Sequence, residues 1–188
     1  MRKLSIIAAF VVAVAIIFGC KPSAQNNGKD ADTADSTAVS GSDEQTDSTM
    51  YGTYVDGGMS AFDMKCDDDS VRNFVIEQDS GVVFGGFAQG DQLAVDYKKN
   101  GLGENIVTKV INLTTLQATW TSLDRNFEIQ KGGSVQSHQQ GEKQPWTAWR
   151  IFNGKLVLNK DTFDIDRLDG DSLLLENQDG IYAYARAK

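Results

Sequence analysis

Few residues of this 188-residue chain are of types that do chemistry, and their spacing sets narrow limits. There is one histidine, His138, and there are two cysteines, Cys20 and Cys66. A general base needs a nucleophile within reach and a partner to orient it. His138 lies in Val135-Gln136-Ser137-His138-Gln139-Gln140, where strand alternation puts the imidazole on a polar face with Gln136 and Gln140. It reads as solvated, no nucleophile–base pair can be named, and the expectation is a protein without enzymatic activity. Cys66 is in phase with Phe62 and Met64 and reads as a small buried apolar group. A reactive thiol needs exposure and a nearby cation, and the adjacent Lys65 points to the opposite face of a strand. Asp67-Asp68-Asp69 could offer oxygens to calcium, but it lacks the alternate ligands, central glycine and distal glutamate of an EF-hand loop, so a solvated turn is expected. With one histidine and Cys66, a structural zinc set cannot be assembled. Neither a metal nor a cofactor is expected. The aromatics Trp120, Trp146, Trp149, Tyr182 and Tyr184 are the candidate ligand-binding residues. At a barrel mouth they would suit an apolar or amphipathic ligand, and in a core they would supply packing. Trp146 and Trp149 have opposite phase in a strand, so both cannot face the core of a regular one.

Cys20 has a different chemistry, set by what precedes it. Met1-Arg2-Lys3 is a basic start, Leu4 to Phe18 is apolar apart from Ser5, and Ile17-Phe18-Gly19-Cys20 ends the run with a small residue before a cysteine. The run is shorter than the roughly 20 residues of a transmembrane helix and has the build of a removable signal. It resembles a bacterial lipoprotein signal with its lipobox, Phe18 being the one bulky departure. The resemblance implies that residues 1–19 are removed and that Cys20 becomes a diacylglycerol-modified, N-acylated terminus. Two or more chains anchor stably, at about 0.8 kcal/mol per buried CH₂. Lys21 follows where lipoproteins kept in the inner membrane carry Asp, which implies the outer membrane.

Composition supports a lipid anchor over an electrostatic one. The formal charge is −8, and loss of Arg2 and Lys3 with the signal brings it nearer −10. That excludes the basic surface that nucleic acid demands and argues against attachment to anionic lipid by charge. Residues 20–50 then read as the lipidated cysteine and a disordered tether rich in Ser, Thr and Asp, with no aromatic residue and too little apolar surface to offset its chain entropy. A flexible chain of that length reaches about 30 Å. Asp32-Thr33-Ala34, Asp35-Ser36-Thr37 and Asp47-Ser48-Thr49 have the form of acceptors for bacterial O-glycosylation, which such a composition also produces by chance.

From Tyr51 the apolar period becomes two, broken by Gly, Asn and Asp, and the expectation is an all-β fold of two small antiparallel modules. Residues 51–113 give runs at Ala61–Cys66, Val71–Glu77, Val82–Phe87, Leu93–Tyr97 and Ile106–Leu113, with Gly85-Gly86 suggesting a bend in the third. Five short strands of this kind resemble an OB-like barrel. Residues 114–188 give eight runs joined by sharp turns, of which Asn153-Gly154 suits a type I′ hairpin. Sequential hairpins imply an up-and-down meander or barrel. The words Phe127-Glu128-Ile129, Gly154-Lys155-Leu156-Val157-Leu158, Asp171-Ser172-Leu173-Leu174-Leu175 and Tyr182-Ala183-Tyr184-Ala185-Arg186 resemble the C-terminal part of lipocalin-like lipoproteins of Gram-negative bacteria. In outline the chain is similar to the NlpE-type envelope lipoproteins, although their Cys-x-x-Cys motif is absent, since Asp67-Asp68-Asp69 follows Cys66. The resemblance implies a lipid-anchored, non-enzymatic envelope protein holding a small apolar or amphipathic ligand. The alternative is an interaction, structural or stress-sensing lipoprotein that docks another envelope protein.

Overall fold

The computed structural model describes residues 46–58, 60–77 and 81–188. The signal at 1–19, Cys20 and the tether up to residue 45 lie outside the described residues, as do the first two glycosylation triplets.

The fold is all-β, in two barrels. The first is built from β1 (Met50–Gly57), β2 (Ala61–Cys66), β3 (Val71–Val75), β4 (Val83–Phe84), β5 (Gln92–Lys99) and β6 (Asn105–Asn112). β1, β2 and β3 form an antiparallel meander, β5 pairs antiparallel with both β1 and β6, and β3 meets β6 in parallel at Val75↔Ile106. This closes five strands in the OB-like order β1-β2-β3-β6-β5. The expected third strand, Val82–Phe87, is mostly loop. Only Val83 and Phe84 pair, parallel to Val110 and Ile111, and they extend the β3 edge along β6. The strand that completes the barrel is β1, which the apolar pattern does not announce. Its inward positions are Gly52 and Tyr54, so a glycine stands where alternation would show a large side chain.

The second barrel follows a one-turn helix, α1 (Leu113–Leu116), capped by Asn112, whose side chain accepts from Thr115 N. Its strands are β7 (Thr119–Thr121), β8 (Asn126–Ile129), β9 (Val135–Ser137), β10 (Trp149–Phe152), β11 (Lys155–Leu158), β12 (Asp161–Leu168), β13 (Ser172–Asn177) and β14 (Gly180–Arg186). Consecutive strands pair except β9 with β10, and β14 returns to β7, so the barrel is nearly closed. One seam is thin. Between β9 and β10 only Ser134 and Ala148 bridge, with Val135 N donating to Thr147 O at 3.0 Å and Trp149 N to Gly133 O at 2.8 Å. The Asn153-Gly154 hairpin forms as expected, with φ of 47° and 70°.

The barrels share packing. Ala94 and Ile111, on the outer face of β5 and β6, and Leu113 and Leu116 of α1 belong to the core of the second barrel. Residues 44–188 accordingly form one compact unit. Residues 46–50, which the sequence assigns to the tether, are ordered against the fold. Met50 opens β1, and the stretch before it is clasped to the β10–β11 turn: Ser48 N donates to Asn153 Oδ1 at 2.9 Å and Asn153 N donates to Thr49 Oγ1 at 3.0 Å.

The join rests on Asn112, the one buried polar side chain among the described residues, 1% exposed. Its Nδ2 donates to Gly86 O at 3.0 Å and Asp91 Oδ2 at 2.7 Å, while Gly85 N donates across the join to Leu168 O at 2.9 Å. Gly85 has φ +93°, and a Cβ there would come within 2.7 Å of Asn112 Cβ; its neighbour Gly86 has φ +67° and open space around it. Gly86→Ala therefore tests backbone strain alone, about 1–2 kcal/mol. Gly85→Ala adds an overlap costing typically 1–3 kcal/mol more. Urea unfolding should show the larger loss at Gly85; equal losses would refute the packing account.

Candidate functional site

The end of the second barrel away from α1 is built by four connections: the β7–β8 turn (122–125), the long β9–β10 loop (138–148), the β11–β12 turn and the β13–β14 turn. The first is a tight turn, in which Ser122 N donates to Arg125 O at 2.7 Å and Ser122 Oγ accepts from Arg125 N at 3.1 Å. It aims Arg125 across the barrel end. The guanidinium lies 4.0 Å above the Trp146 ring and 2.7 Å from Glu142 Oε1, and Glu142 Oε2 takes the Ser137 hydroxyl at 2.5 Å. These contacts strap the β9–β10 loop down and seat Trp146, which is 6% exposed and donates through Nε1 to Asp161 Oδ2 at 3.2 Å.

Under this strap is an aromatic cluster. Phe127 meets Trp146 and Tyr184 edge-on, both at 5.1 Å, and Phe163 meets Trp146 at 5.7 Å and Tyr182 at 5.8 Å. Each such pair contributes about 0.5–1.5 kcal/mol beyond burial. Below it Leu156, Leu158, Ile165, Leu173 and Leu175 fill the axis and are buried. The interior is a packed core. What opens to solvent is a shallow groove of about 300 Å³ between the Ser122–Arg125 turn and the first half of β14. Its rim carries Leu123, fully exposed, and Ile181, 65% exposed.

The five candidate aromatics therefore fall into three settings. Trp146, Tyr182 and Tyr184 come together at this end. Trp120 is wholly buried beside α1, its Nε1 donating to Leu116 O at 2.9 Å. Trp149 is half-buried on the thin seam, donating to Gln130 O at 2.7 Å. The phase argument for Trp146 and Trp149 does not hold, because Trp146 precedes β10 and loop geometry turns both rings onto the core. Sequence reading missed Leu123, Arg125, Glu142 and Ile181. Leu123 lies in the turn after β7, and Ile181 is on the outer face of β14, in the opposite phase to Tyr182 and Tyr184.

The remaining candidates are elsewhere. Cys66 is packed in the first core with Sγ 3.5 Å from Met50 Sδ, and burial raises its thiol pKa. His138 is exposed, with Nε2 3.4 Å from Glu128 Oε2. Asp68 caps the turn, accepting from Ser70 N at 3.0 Å and from the Arg72 guanidinium at 2.5 Å. A polar groove of about 670 Å³ lies on the outer face of β11–β13, where Lys155 already pairs with Asp164 at 2.7 Å.

Compared with protein-family models, curated proteins and solved structures, the chain matches none.

Two outcomes follow from this geometry. Trp146→Ala removes the plug of the barrel end and should cost about 3–5 kcal/mol, with dye binding to the uncovered aromatics as the direct readout. Burial also pushes the Tyr184 hydroxyl up to about 12, against the opposing pull of Arg125, and burial with the Asp47 charge does the same for Tyr51. The fold holds both neutral, whereas the unfolded chain ionises near pH 10. Stability is thus untouched below about pH 10 and declines as pH rises toward 12. Tyr184→Phe and Tyr51→Phe should each flatten that decline in alkaline melts.

Proposed function

We propose that this chain is a lipid-anchored, non-enzymatic envelope protein that docks another protein at the far end of its second barrel. The observation that carries this is the position of the apolar surface. The barrel axis is filled with leucine, isoleucine and aromatic side chains, while Leu123 and Ile181 stand out on the rim. Lone surface apolar residues are ordinary, and what supports a contact site here is that two of them flank one groove. The anchor side agrees with this reading. The N-terminal segment enters at Asn153, at the opposite end of β11 from the Asn159–Lys160 turn, so the rim points away from the attachment. A lipid-modified Cys20 and its tether present that rim to partners at a distance from the bilayer, in the outer membrane if Lys21 has the meaning it has in lipoproteins.

A second reading, a small amphipathic ligand, is supported by the aromatic lining of the groove, Tyr182 and Tyr184. It would fit a molecule lying across the mouth, since entry to the axis requires Trp146 to leave.

Anchoring is tested by metabolic labelling with palmitate. The native chain should be labelled and partition into detergent, and Cys20→Ser should do neither; a labelled Cys20→Ser chain refutes the anchor. Docking is tested with a photo-crosslinking residue at Leu123 in intact cells, with Val71, 62% exposed on the first barrel, as control. A protein adduct at Leu123 and none at Val71 is expected. A lipid-sized adduct instead favours the second reading.

A further inference from the structure

We propose that the open edge of β14 at Ile181 and Ala183 is a strand-addition site for an extended apolar peptide bearing a basic residue. This rests on the docking reading above and names what docks. β14 pairs with β13 along its length, from Asn177↔Gly180 to Ser172↔Ala185. On its other edge it pairs with β7 only at Ala185↔Thr121 and Arg186↔Trp120. The direction of each residue's main chain follows from two hydrogen bonds. Arg186 N donates to Asp171 O, toward β13, and Ala187 N donates to Thr119 O, toward β7. Successive residues alternate, so Ile181 and Ala183 direct N–H and C=O toward β7. There β7 has already ended at Thr121 and turned away through Ser122–Arg125. The result is two donors and two acceptors in ladder geometry along the wall of the groove.

Barrels close so that such edges do not occur, and exposed ones template pairing with another chain. Even the thin β9–β10 seam is bridged. This edge is instead left beside Leu123 and Ile181, both exposed. Its span suits about three to four residues of an added strand at roughly 3.3 Å each. Main-chain bonds would hold such a strand, and the pocket beside Tyr182 and Tyr184 would take one apolar side chain, as in other strand-addition sites. Charge selects the flanking residue. Arg125 is occupied by Glu142 at 2.7 Å, which leaves Asp124 as the uncompensated charge on the groove, and no ion pair to Asp124 exists among the described residues. Asp179, at the start of the same edge, is likewise without an ion pair among the described residues. A lysine or arginine on the incoming strand complements both.

The test uses the full membrane-bound chain carrying the photo-crosslinker at Leu123. Ala183→Pro removes the free-edge N–H and leaves the β13 ladder, which Ala183 does not donate to; Ala183→Val keeps the donor. Strand addition predicts that Ala183→Pro lowers the Leu123 adduct at least tenfold and that Ala183→Val retains it. It also predicts at least a threefold loss with Asp124→Lys, and adduct peptides mapping to an extended segment with Lys or Arg. If Ala183→Pro alters the thermal melt, the Asp124→Lys result and the mapped peptide decide alone. A protein adduct indifferent to Ala183→Pro and Asp124→Lys overturns strand addition and leaves docking standing. Absence of any protein adduct overturns both.

Discussion

One buried amide holds the two halves of this protein in register. Asn112 ends β6, caps α1 and binds the Gly85-Gly86 loop, so three segments converge on a side chain with almost no solvent contact. A buried polar group left unpartnered costs about 1–3 kcal/mol, so loss of the loop from this placement is penalised. From that node Thr115 donates to Gly85 O and Arg186 reaches Thr115 O at 2.6 Å, while its guanidinium covers Trp120 at 5.0 Å. The last strand of the second barrel is thereby bonded to the helix that begins it.

This convergence also helps to fill the second barrel from its α1 end. The wall of the first supplies Ala94 and Ile111 to the core of the second, and α1 supplies Leu113 and Leu116. Trp146 occupies the other end. Short strands bring large side chains together on the axis, and small barrels fill in this way. Surface that recognises anything else must then be on a rim or an edge. The β7–β8 turn, by ending β7 after three residues, makes both at one place.

Much of the architecture is legible in the sequence because period-two alternation directly reflects one buried face. Phe62, Met64 and Cys66 point inward as their spacing requires, and Leu156, Leu158, Phe163, Ile165, Leu173 and Leu175 do the same in the second barrel. The glycine and asparagine turns are equally plain. β1 is hidden because an inward glycine and a polar flank erase its alternation. The candidate site is legible only in part. Trp146, Tyr182 and Tyr184 announce an aromatic end, but strand phase is the wrong rule for Trp146 in a loop. Periodicity places Leu123 and Ile181 outward, opposite in phase to Trp120 and to Tyr182 and Tyr184, but does not show that they flank one groove. Nothing local encodes where a strand loses its neighbour; that depends on the register of β14 against β7.

The clasp between the N-terminal segment and Asn153 also has a mechanical meaning. Tension arriving along the chain from its N-terminal side falls first on the bonds from Thr46, Asp47, Ser48 and Thr49 to one turn, before it loads the β1 ladder. Those bonds stand at a hairpin tip, where they would open one after another, whereas β1 lies between two partners and must be sheared from both. Their release would add about 14 Å of extended chain while both barrels stay intact. The clasp is thus a weak link in series with a strong one, and it lets the folded part give ground before it gives way.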